Sequence, residues 1–220
     1  FRPIPLFEYY KIGDTLYDSS NKVLTHLKSN IPEDPDFLVS TIQPVIDNNG
    51  SVLVFCNSRE QCRRSAFLIA KYLKIKDDEV IKQKRDNILK QLHKSFCGLD
   101  PELQKLINVG IAYHHAALTL EEREIIEEAF SNGGISVLAC TTTLSLGINL
   151  PARAVIFRDI KAAGKFLTSL NYQQIKGRAG RKGLDIVGES VLMCRNTNDD
   201  ICHVKYLLDG KLDDIKSSLD

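Results

Sequence analysis

Apolar residues occur along the chain in short uninterrupted runs that alternate with longer amphipathic stretches. Five runs have the length and composition of buried strands, and they cover Ser51–Cys56, Val109–Tyr113, Ile135–Cys140, Ala154–Arg158 and Glu189–Cys194. A strand that is apolar on both faces is typical of a parallel sheet whose two faces are both covered. The pattern therefore predicts an α/β fold, a parallel sheet with helices on both faces.

The stretches between these runs have the periodicity and the boundary residues of helices. The predicted helices are Phe37–Asp47, a helix that starts after Ser58, Lys82–Lys94, Glu102–Asn108 and a helix that starts after Thr119. Ser58 with Gln61, and Thr119 with Glu122, have the spacing of capping boxes. The segment Phe1–Gly13 carries two prolines, which favours an extended connector or an edge strand over a central strand.

Composition narrows the class of protein without identifying a partner. The chain has 220 residues, of which 43% are hydrophobic and 26% charged, and this is ordinary for a globular domain. Its net charge is +1, so any contact with nucleic acid must depend on where the basic residues are placed. The six cysteines form no CxxC pair, and we interpret them as reduced thiols rather than as a disulfide or metal framework. The sequence contains no run of 18 apolar residues and no signal peptide.

Polar residues follow the predicted strands, and in parallel α/β sheets ligands bind beyond the carboxyl ends of the strands. The residues at these ends are Asn57-Ser58-Arg59, His114-His115, Thr141–Thr143 and Arg158. Threonine hydroxyls and exposed amides at a strand end can hold a nucleic-acid phosphate without reading a base. A Ser/Thr turn that caps a short helix is an equal alternative. Further on, Gly147 permits a close backbone approach, and Asn149 supplies a neutral polar group.

Glycine and arginine are concentrated in the stretch Tyr172–Gly183, Y-Q-Q-I-K-G-R-A-G-R-K-G. If this stretch is helical, Gln174, Arg178 and Arg181 lie on one face at i, i+4 and i+7. Two glycines cost a helix about 1 kcal/mol each relative to alanine, so something must approach the backbone closely. Because guanidinium groups match phosphate oxygens, the pattern predicts a polyphosphate site, with a solvated basic loop as the alternative.

Several stretches, taken in order, resemble the motifs of superfamily 2 helicases. C-T-T-T-L-S-L-G-I-N-L-P-A-R and Q-Q-I-K-G-R-A-G-R-K-G-L-D-I-V-G-E-S resemble motifs V and VI, Gly110–Phe130 is similar to motif IVa, and Phe55–Arg59 falls where motif IV belongs. More narrowly, the chain resembles the branch that contains the helicase domain of DNA polymerase theta and the POLQ-like helicase. The resemblance covers Ser51–Cys194 and implies a RecA-like fold, that of the C-terminal domain of P-loop NTPase-type helicases.

The resemblance also implies roles for individual residues on the nucleotide side. Arg178 and Arg181 would contact the γ-phosphate of ATP bound to a neighbouring domain, with Arg181 as the arginine finger. Gln174 would couple the nucleotide to the moving domain. Gly147 and Asn149 would line the nucleotide side of motif V.

On the nucleic-acid side, the resemblance places five residues near the translocating strand: Ser58, Arg59, His115, Thr141 and Thr143. For His115, a satisfied buried histidine is an equal alternative. Residues Arg158–Leu170 lie where the family has a strand-separating β-hairpin. Its turn would be Ala163-Gly164, and Phe166 would stack on the last base pair. The alternative is a connecting loop whose phenylalanine lies in the core.

Two parts of an ATPase do not occur in the 220 residues, namely a G-x-x-x-x-G-K-[ST] loop and a D-E-x-H box. The resemblance assigns both to a preceding RecA-like domain, which would hold most of the ATP and Mg²⁺. We therefore expect the chain by itself to hydrolyse no ATP. We expect residues 1–20 to be a connector from that domain, 21–198 the helicase C-terminal domain, and 199–220 the start of a following domain. An initial phenylalanine favours a piece of a longer chain.

The implied function is that of the second motor domain of an ATP-dependent 3′–5′ DNA helicase that acts in DNA repair in the nucleus. Its expected partners are single-stranded and branched DNA and the adjacent domains of the same chain, with no membrane. Two alternatives remain open, an RNA helicase of the same superfamily and a catalytically silent RecA-like interaction module.

Overall fold

The computed structural model describes residues 4–76, 78–95, 98, 100–141, 150–162 and 164–209. The strands are β1 Leu6–Ile12, β2 Thr15–Asp18, β3 Val23–His26, β4 Val52–Cys56, β5 Ile111–His114, β6 Val137–Thr141, β7 Ala154–Phe157, β8 Lys161–Ala162, β9 Lys165–Phe166 and β10 Gly188–Cys194. The helices are α1 Leu38–Asp47, α2 Arg59–Tyr72, α3 Glu79–Lys94, α4 Pro101–Asn108, α5 Leu120–Ser131, α6 Ser169–Lys176 and α7 Asn198–Leu208.

Eight of these strands form one sheet in the order β3-β2-β1-β10-β7-β4-β6-β5. All neighbours from β1 to β5 in this order are parallel, and β2 and β3 are antiparallel. Every residue of β4, β5 and β7 is buried, which requires cover on both faces of the sheet. The predicted parallel α/β sheet is therefore confirmed, and each of the five predicted strands is present within two residues of its predicted ends.

The two predicted capping boxes differ in outcome. Thr119 Oγ1 accepts a hydrogen bond from the Glu122 N–H, and the Glu122 carboxylate accepts one from the Thr119 N–H, so this box is confirmed. Ser58 Oγ accepts from the Gln61 N–H at 3.2 Å, as predicted. The Gln61 side chain, however, accepts from the N–H of Asn57 instead of Ser58, which leaves the second box incomplete.

The amino-terminal segment belongs to the sheet, which corrects the expectation of a connector or edge strand. β1 lies between β10 and β2, with Leu6 opposite Gly188 and Ile12 opposite Cys194. Pro5 precedes the strand and uses only its carbonyl, which accepts a hydrogen bond from the Gly188 N–H at 2.7 Å. Proline therefore does not interrupt the pairing. The edge position is taken by the β2–β3 hairpin, which the sequence pattern did not predict.

The carboxyl-terminal helix also belongs to this domain. α7 packs on β10, and Val204 and Leu207 are fully buried in the core. At its start, the buried Asp200 carboxylate accepts a hydrogen bond from Lys161 Nζ at 2.7 Å. Residues 199–208 are thus part of the same domain as the sheet, which corrects the expectation that a following domain starts at residue 199.

The described part of the chain contains no helix that is both long and apolar enough to cross a membrane. Within the same residues, no group of three or more His, Cys, Asp or Glu side chains is placed to hold a metal ion. Cys56, Cys62, Cys140, Cys194 and Cys202 are free thiols, and Cys97 lies outside the described residues.

A substitution of Gly188, at the start of β10, tests the close packing of this strand against the segment that contains Ala179. A Cβ at this position would lie 2.6 Å from the carbonyl oxygen of Ala179. We therefore expect Gly188→Ala to lower the free energy of unfolding by about 1–3 kcal/mol, measured by urea denaturation. Gly177→Ala is the control, because Gly177 has the helical φ of −57° and the nearest neighbour of a Cβ there would be the carbonyl oxygen of Gln173 at 3.2 Å, so its cost should be clearly smaller. Equal stability of the two variants would contradict this packing.

Candidate nucleotide and nucleic-acid interfaces

The glycine- and arginine-rich stretch is not one continuous helix. α6 ends at Lys176, and beyond it the backbone pairs with the segment that enters β7. The Ala152 N–H donates to the Arg178 carbonyl at 2.9 Å, and the Ala152 carbonyl accepts from the Gly180 N–H at 2.6 Å. The predicted helix over Tyr172–Gly183 is therefore wrong beyond Lys176, because these backbone groups bond to another segment instead of the preceding helical turn.

The sequence implied that something lies close to the glycine backbone of this stretch, and at Gly180 the structure shows that the neighbours are Ile4 and Gly188. The φ of Gly180 is +91°, a conformation that favours glycine. A Cβ at Gly180 would also lie 2.9 Å from the side chain of Ile4 and 3.4 Å from the Cα of Gly188. Segments of this chain itself thus account for the glycine, and no ligand is needed to explain it.

Arg181 is held in an ion pair with Asp185. Its Nε and Nη2 donate to the two carboxylate oxygens at 2.9 and 2.8 Å, and its backbone N–H donates to the same carboxylate at 2.7 Å. The side chain of Asp185 is 5% exposed and that of Arg181 is 22% exposed. Burial raises the pKa of the Asp185 carboxyl, but the hydrogen bonds from Arg181 outweigh it and lower that pKa below its ordinary value.

The pairing leaves one edge of the Arg181 guanidinium available. Nη1 makes no hydrogen bond to any residue that the structure describes, and the side chain retains access to solvent. Arg181 lines a pocket of 120 Å³ together with Lys76, Ser51 and Ser136. The carboxylate therefore fixes the orientation of the guanidinium while two of its N–H donors remain for an anion.

Arg178 and Gln174 occupy different environments from Arg181. The Arg178 side chain is half-buried, and burial lowers the pKa of its guanidinium, an effect that the nearby Cys140 partly offsets. Gln174 lies on the exposed side of α6. The three side chains therefore do not share one helical face, although they follow one another along the same short segment of the surface.

The structure divides the predicted site between the two edges of the sheet. Arg178 lies at the amino end of β7, where its carbonyl bonds to Ala152, and Arg181 lies in a pocket at the amino ends of β4 and β6. The candidates for contact with nucleic acid follow the carboxyl ends of the strands. A five-residue strand such as β4 is roughly 17 Å long, so about this distance separates the Arg181 pocket from the carboxyl edge. The Arg178 guanidinium is not part of this separation, because it lies near Cys140 at the carboxyl end of β6.

Ser58, Arg59 and Thr141 lie together at the carboxyl edge. Ser58 is the N-cap of α2, Arg59 is the first residue of that helix, and both are exposed. Thr141 is the last residue of β6 and lies opposite Cys56 in the sheet. Three further predicted site residues, Thr143, Gly147 and Asn149, lie outside the described residues.

His115 is a buried histidine, as the alternative interpretation stated. It is 7% exposed, and its ring stacks on Tyr113 with a centroid distance of 5.1 Å. Nδ1 accepts a hydrogen bond from the Ala117 N–H at 3.3 Å. Burial lowers the pKa of His115, which keeps the ring neutral. These contacts indicate that His115 shapes the loop after β5.

The predicted hairpin between motifs V and VI is present and short. Its strands, β8 and β9, have two residues each, with Lys161 opposite Phe166, and Gly164 in the turn has a φ of +77°. Ala163 lies outside the described residues. The Phe166 ring stacks on His203 of α7 at 4.2 Å, and Lys161 Nζ lies 4.2 Å from the centroid of the same ring. Phe166 thus packs on its own domain.

Two acidic residues of this site were not found from the sequence. Glu8 in β1 accepts hydrogen bonds from the Tyr172 hydroxyl at 2.8 Å and from Lys176 Nζ at 2.7 Å, and so fixes α6 on the sheet. It precedes these partners by more than 160 residues, and no local pattern points to it. Asp185 follows Arg181 by four residues, a spacing that could have drawn attention to it.

Comparison with known proteins shows which family the sequence matches. Residues 80–183 match the family described as "Helicase conserved C-terminal domain". The chain is 42% identical over 235 residues to "DNA polymerase theta" of Mus musculus, an alignment that covers 100% of this chain and 9% of that protein. It is 41% identical over 208 residues to "Helicase POLQ-like" of Homo sapiens, covering 88% of this chain and 18% of that protein.

An archaeal protein is also similar over the whole length. The chain is 32% identical over 226 residues to "ATP-dependent DNA helicase Hel308" of Pyrobaculum calidifontis, covering 100% of this chain and 31% of that protein. The chain therefore spans less than a third of the length of each of these relatives.

The Asp185–Arg181 pair gives a prediction for stability and its dependence on pH. Asp185→Ala should lower the free energy of unfolding by about 1–3 kcal/mol at neutral pH, because Arg181 loses a charged hydrogen-bond partner. The folded-state pKa of Asp185 is below its unfolded value, so this contribution is present above about pH 4 and is lost as the pH falls through the folded-state pKa.

Urea unfolding of the parent and the variant at neutral pH and at about pH 3 tests this, with Glu60→Ala as the control. Glu60 pairs with Arg64 at the same four-residue spacing, but its side chain is 58% exposed, so its loss should change stability little. A difference between parent and Asp185→Ala that does not shrink at the lower pH would contradict the assignment.

Proposed function

This chain belongs to the helicase conserved C-terminal domain family of superfamily 2, with a RecA-like α/β fold, and we propose that it is the second motor domain of an ATP-dependent DNA helicase. The observation that carries the proposal is the Arg181 guanidinium, which Asp185 holds on one edge while the other edge keeps its donors. This arrangement lies at the position that motif VI occupies in such helicases.

On the nucleotide side, Arg181 contacts the γ-phosphate of an ATP held mainly, with Mg²⁺, by a preceding RecA-like domain. The half-buried Arg178 supplies a second positive charge, and the exposed Gln174 senses closure of the two domains. Gly147 and Asn149 line the nucleotide side of motif V. The free edge of Arg181 fits an anionic phosphate, since a guanidinium presents planar donors that match phosphate oxygens. Hydrolysis of the bound nucleotide supplies the free energy, while these residues position and stabilise negative charge.

The surface around Arg181 supports contact with another protein domain. Leu184 and Ile186 flank Asp185 and are 72% and 89% exposed. Large apolar side chains grouped on a surface indicate an interaction site. A preceding domain that brings a nucleotide to Arg181 must touch this loop, so closure would bury both side chains.

On the nucleic-acid side, Ser58, Arg59 and Thr141 contact the DNA backbone at the carboxyl edge of the sheet. We assign the same contact to Thr143 from the resemblance of its motif. Contacts to phosphate position a strand without reading its sequence, so binding should weaken steeply with salt and be insensitive to sequence. His115 supports the loop beside them from its buried position.

The fold supports a rigid connection between the two edges. α6 has eight residues, roughly 12 Å of helix, and extends from the hairpin to the segment that carries the arginines. Tyr172 and Lys176 bind it to Glu8 of the sheet. The domain therefore moves as one body, and closure around the nucleotide shifts the carboxyl edge along the DNA.

We extend the proposal to 3′–5′ translocation, to a role in DNA repair and to the nucleus. Similarity to the proteins described as "DNA polymerase theta" and "Helicase POLQ-like" supports this setting. The working unit is the longer protein, with the preceding and following domains and single-stranded or branched DNA as partners.

Arg181→Ala in the full-length protein tests the nucleotide assignment. DNA-stimulated ATP turnover should fall by about 10³–10⁵-fold, because the arginine finger stabilises charge in the transition state, while ATP binding stays within a few-fold. Arg64→Ala is the control, since that side chain is 78% exposed and Glu60 is its one ion-pair partner among the described residues.

Arg181→Ala also leaves the Asp185 carboxylate without its partner. The double variant Arg181→Ala/Asp185→Asn removes this buried charge and should show the same loss of turnover. Turnover equal to that of the parent in either variant would remove the finger assignment.

Unwinding of matched DNA and RNA duplexes by the full-length protein tests the proposed substrate. We expect ATP-dependent unwinding of DNA carrying a 3′ tail, little unwinding of RNA, and no ATP turnover by the 220-residue chain alone. Preferred unwinding of RNA would favour the RNA helicase alternative. Absence of any ATP turnover in the full-length protein would favour an interaction module.

A further inference from the structure

A pocket of 230 Å³ lies at the carboxyl edge of the sheet, between the ends of β4 and β7 and the β8–β9 hairpin. Its walls are mostly apolar and include Phe55, Phe157, Phe166 and Leu167. Phe55 and Phe157 are almost fully buried and stack on each other at 5.9 Å, so they form a rigid floor. The hairpin and the start of α6 form the opposite wall.

Polar side chains also line the pocket, although most of its exposed wall is apolar. The Asn57 side chain donates to the Asp159 carboxylate at 3.1 Å, which fixes both groups on one side. On the other side, the side chains of Asn171 and Lys165 make no hydrogen bond with any described residue. The pocket therefore combines apolar walls with one available carboxamide and one exposed ammonium group.

Phe166 faces this pocket instead of projecting from the hairpin. Its ring stacks on His203 and lies beneath Lys161 Nζ, while it also lines the pocket. Stacking on the end of a duplex would require the ring to leave these contacts. In the observed conformation, the aromatic residue of the hairpin serves as a pocket wall.

The volume and the lining residues of the pocket indicate which kind of ligand fits it. Pockets for drug-sized molecules have about 300–1,000 Å³, so 230 Å³ suits one small planar group and not a whole nucleotide. A nucleobase is planar and apolar on its faces and has hydrogen-bonding groups on its edges, which the Asn171 carboxamide can meet. The exposed Lys165 is placed to contact the adjoining phosphate.

We propose that this pocket binds one unstacked nucleobase of the DNA strand that passes along the carboxyl edge of the sheet. The proposal rests on the proposed function, because it needs a strand at that edge. In addition to separating the strands, the hairpin region would then hold a displaced base and so keep the strands from pairing again.

An abasic scan with the full-length protein tests the pocket. Forked DNAs that lack a single base at successive positions near the junction are titrated with protein, and binding is followed by fluorescence anisotropy. At one position, loss of the base should weaken binding by about 5- to 150-fold relative to its neighbours, the range for one stacked base.

Asn171→Trp fills the pocket and should remove this position dependence, so that the intact and abasic forks bind equally. Leu170→Trp is the matched control, because Leu170 is the neighbouring residue on α6, is 58% exposed and does not line the pocket. It should keep the full position dependence. Asn171→Phe, a smaller ring that also occupies the pocket, gives the same test if the tryptophan variant does not fold.

Equal binding to all abasic forks by the parent protein would overturn the pocket assignment, as would a position dependence that survives in Asn171→Trp or Asn171→Phe. DNA-stimulated ATP turnover measured on the same parent preparation separates the two proposals. Turnover without position dependence overturns only the pocket, whereas absence of turnover overturns the proposed motor function and the pocket with it.

Discussion

The backbone pairing between Ala152 and the segment Arg178–Gly180 determines where the arginines of motif VI lie. Two hydrogen bonds, at 2.9 and 2.6 Å, hold the chain beside the amino end of β7, so that α6 does not continue. Gly180 and Gly188 permit this because a side chain at either position would meet Ile4 or Ala179. The amino-terminal strand is thereby packed against the motif, so the segment expected to be a connector is part of what positions the arginines.

Once this segment is fixed, Asp185 decides the orientation of Arg181. A guanidinium alone on a surface samples many rotamers, and ordering it opposes binding by the lost entropy. The bidentate pair at 2.8 and 2.9 Å removes that freedom in advance and keeps one edge for an anion. An internal ion pair and a role in phosphate contact are therefore compatible, because the two use different donors of the same side chain.

The parallel sheet places the Arg181 pocket at the amino ends of its strands and Ser58, Arg59 and Thr141 at their carboxyl ends. α6 leads from the hairpin toward the segment that carries the arginines and is bound to β1 through Glu8, which fixes its position on the sheet. The apolar pocket under the hairpin lies at the far end of the same helix. In the proposed motor, a domain built in this way would convert a contact at one edge into a displacement at the other.

The sequence by itself determined the fold class, the central strands and the helices, because uninterrupted apolar runs and cap residues are local signals. It also identified the motifs that carry the family resemblance, and that resemblance implied a hairpin at Arg158–Leu170, with a connecting loop as the alternative. It could not determine that Leu6–Ile12 pairs with Gly188–Cys194, that α6 stops at Lys176, or that Phe166 turns toward His203. Each of these features depends on residues far away in the chain. Their hydrogen bonds and packing override the structure that the local sequence pattern predicts. Tertiary structure alone decided them, since only the folded sheet brings Ala152, Glu8 and α7 to the segments that they hold.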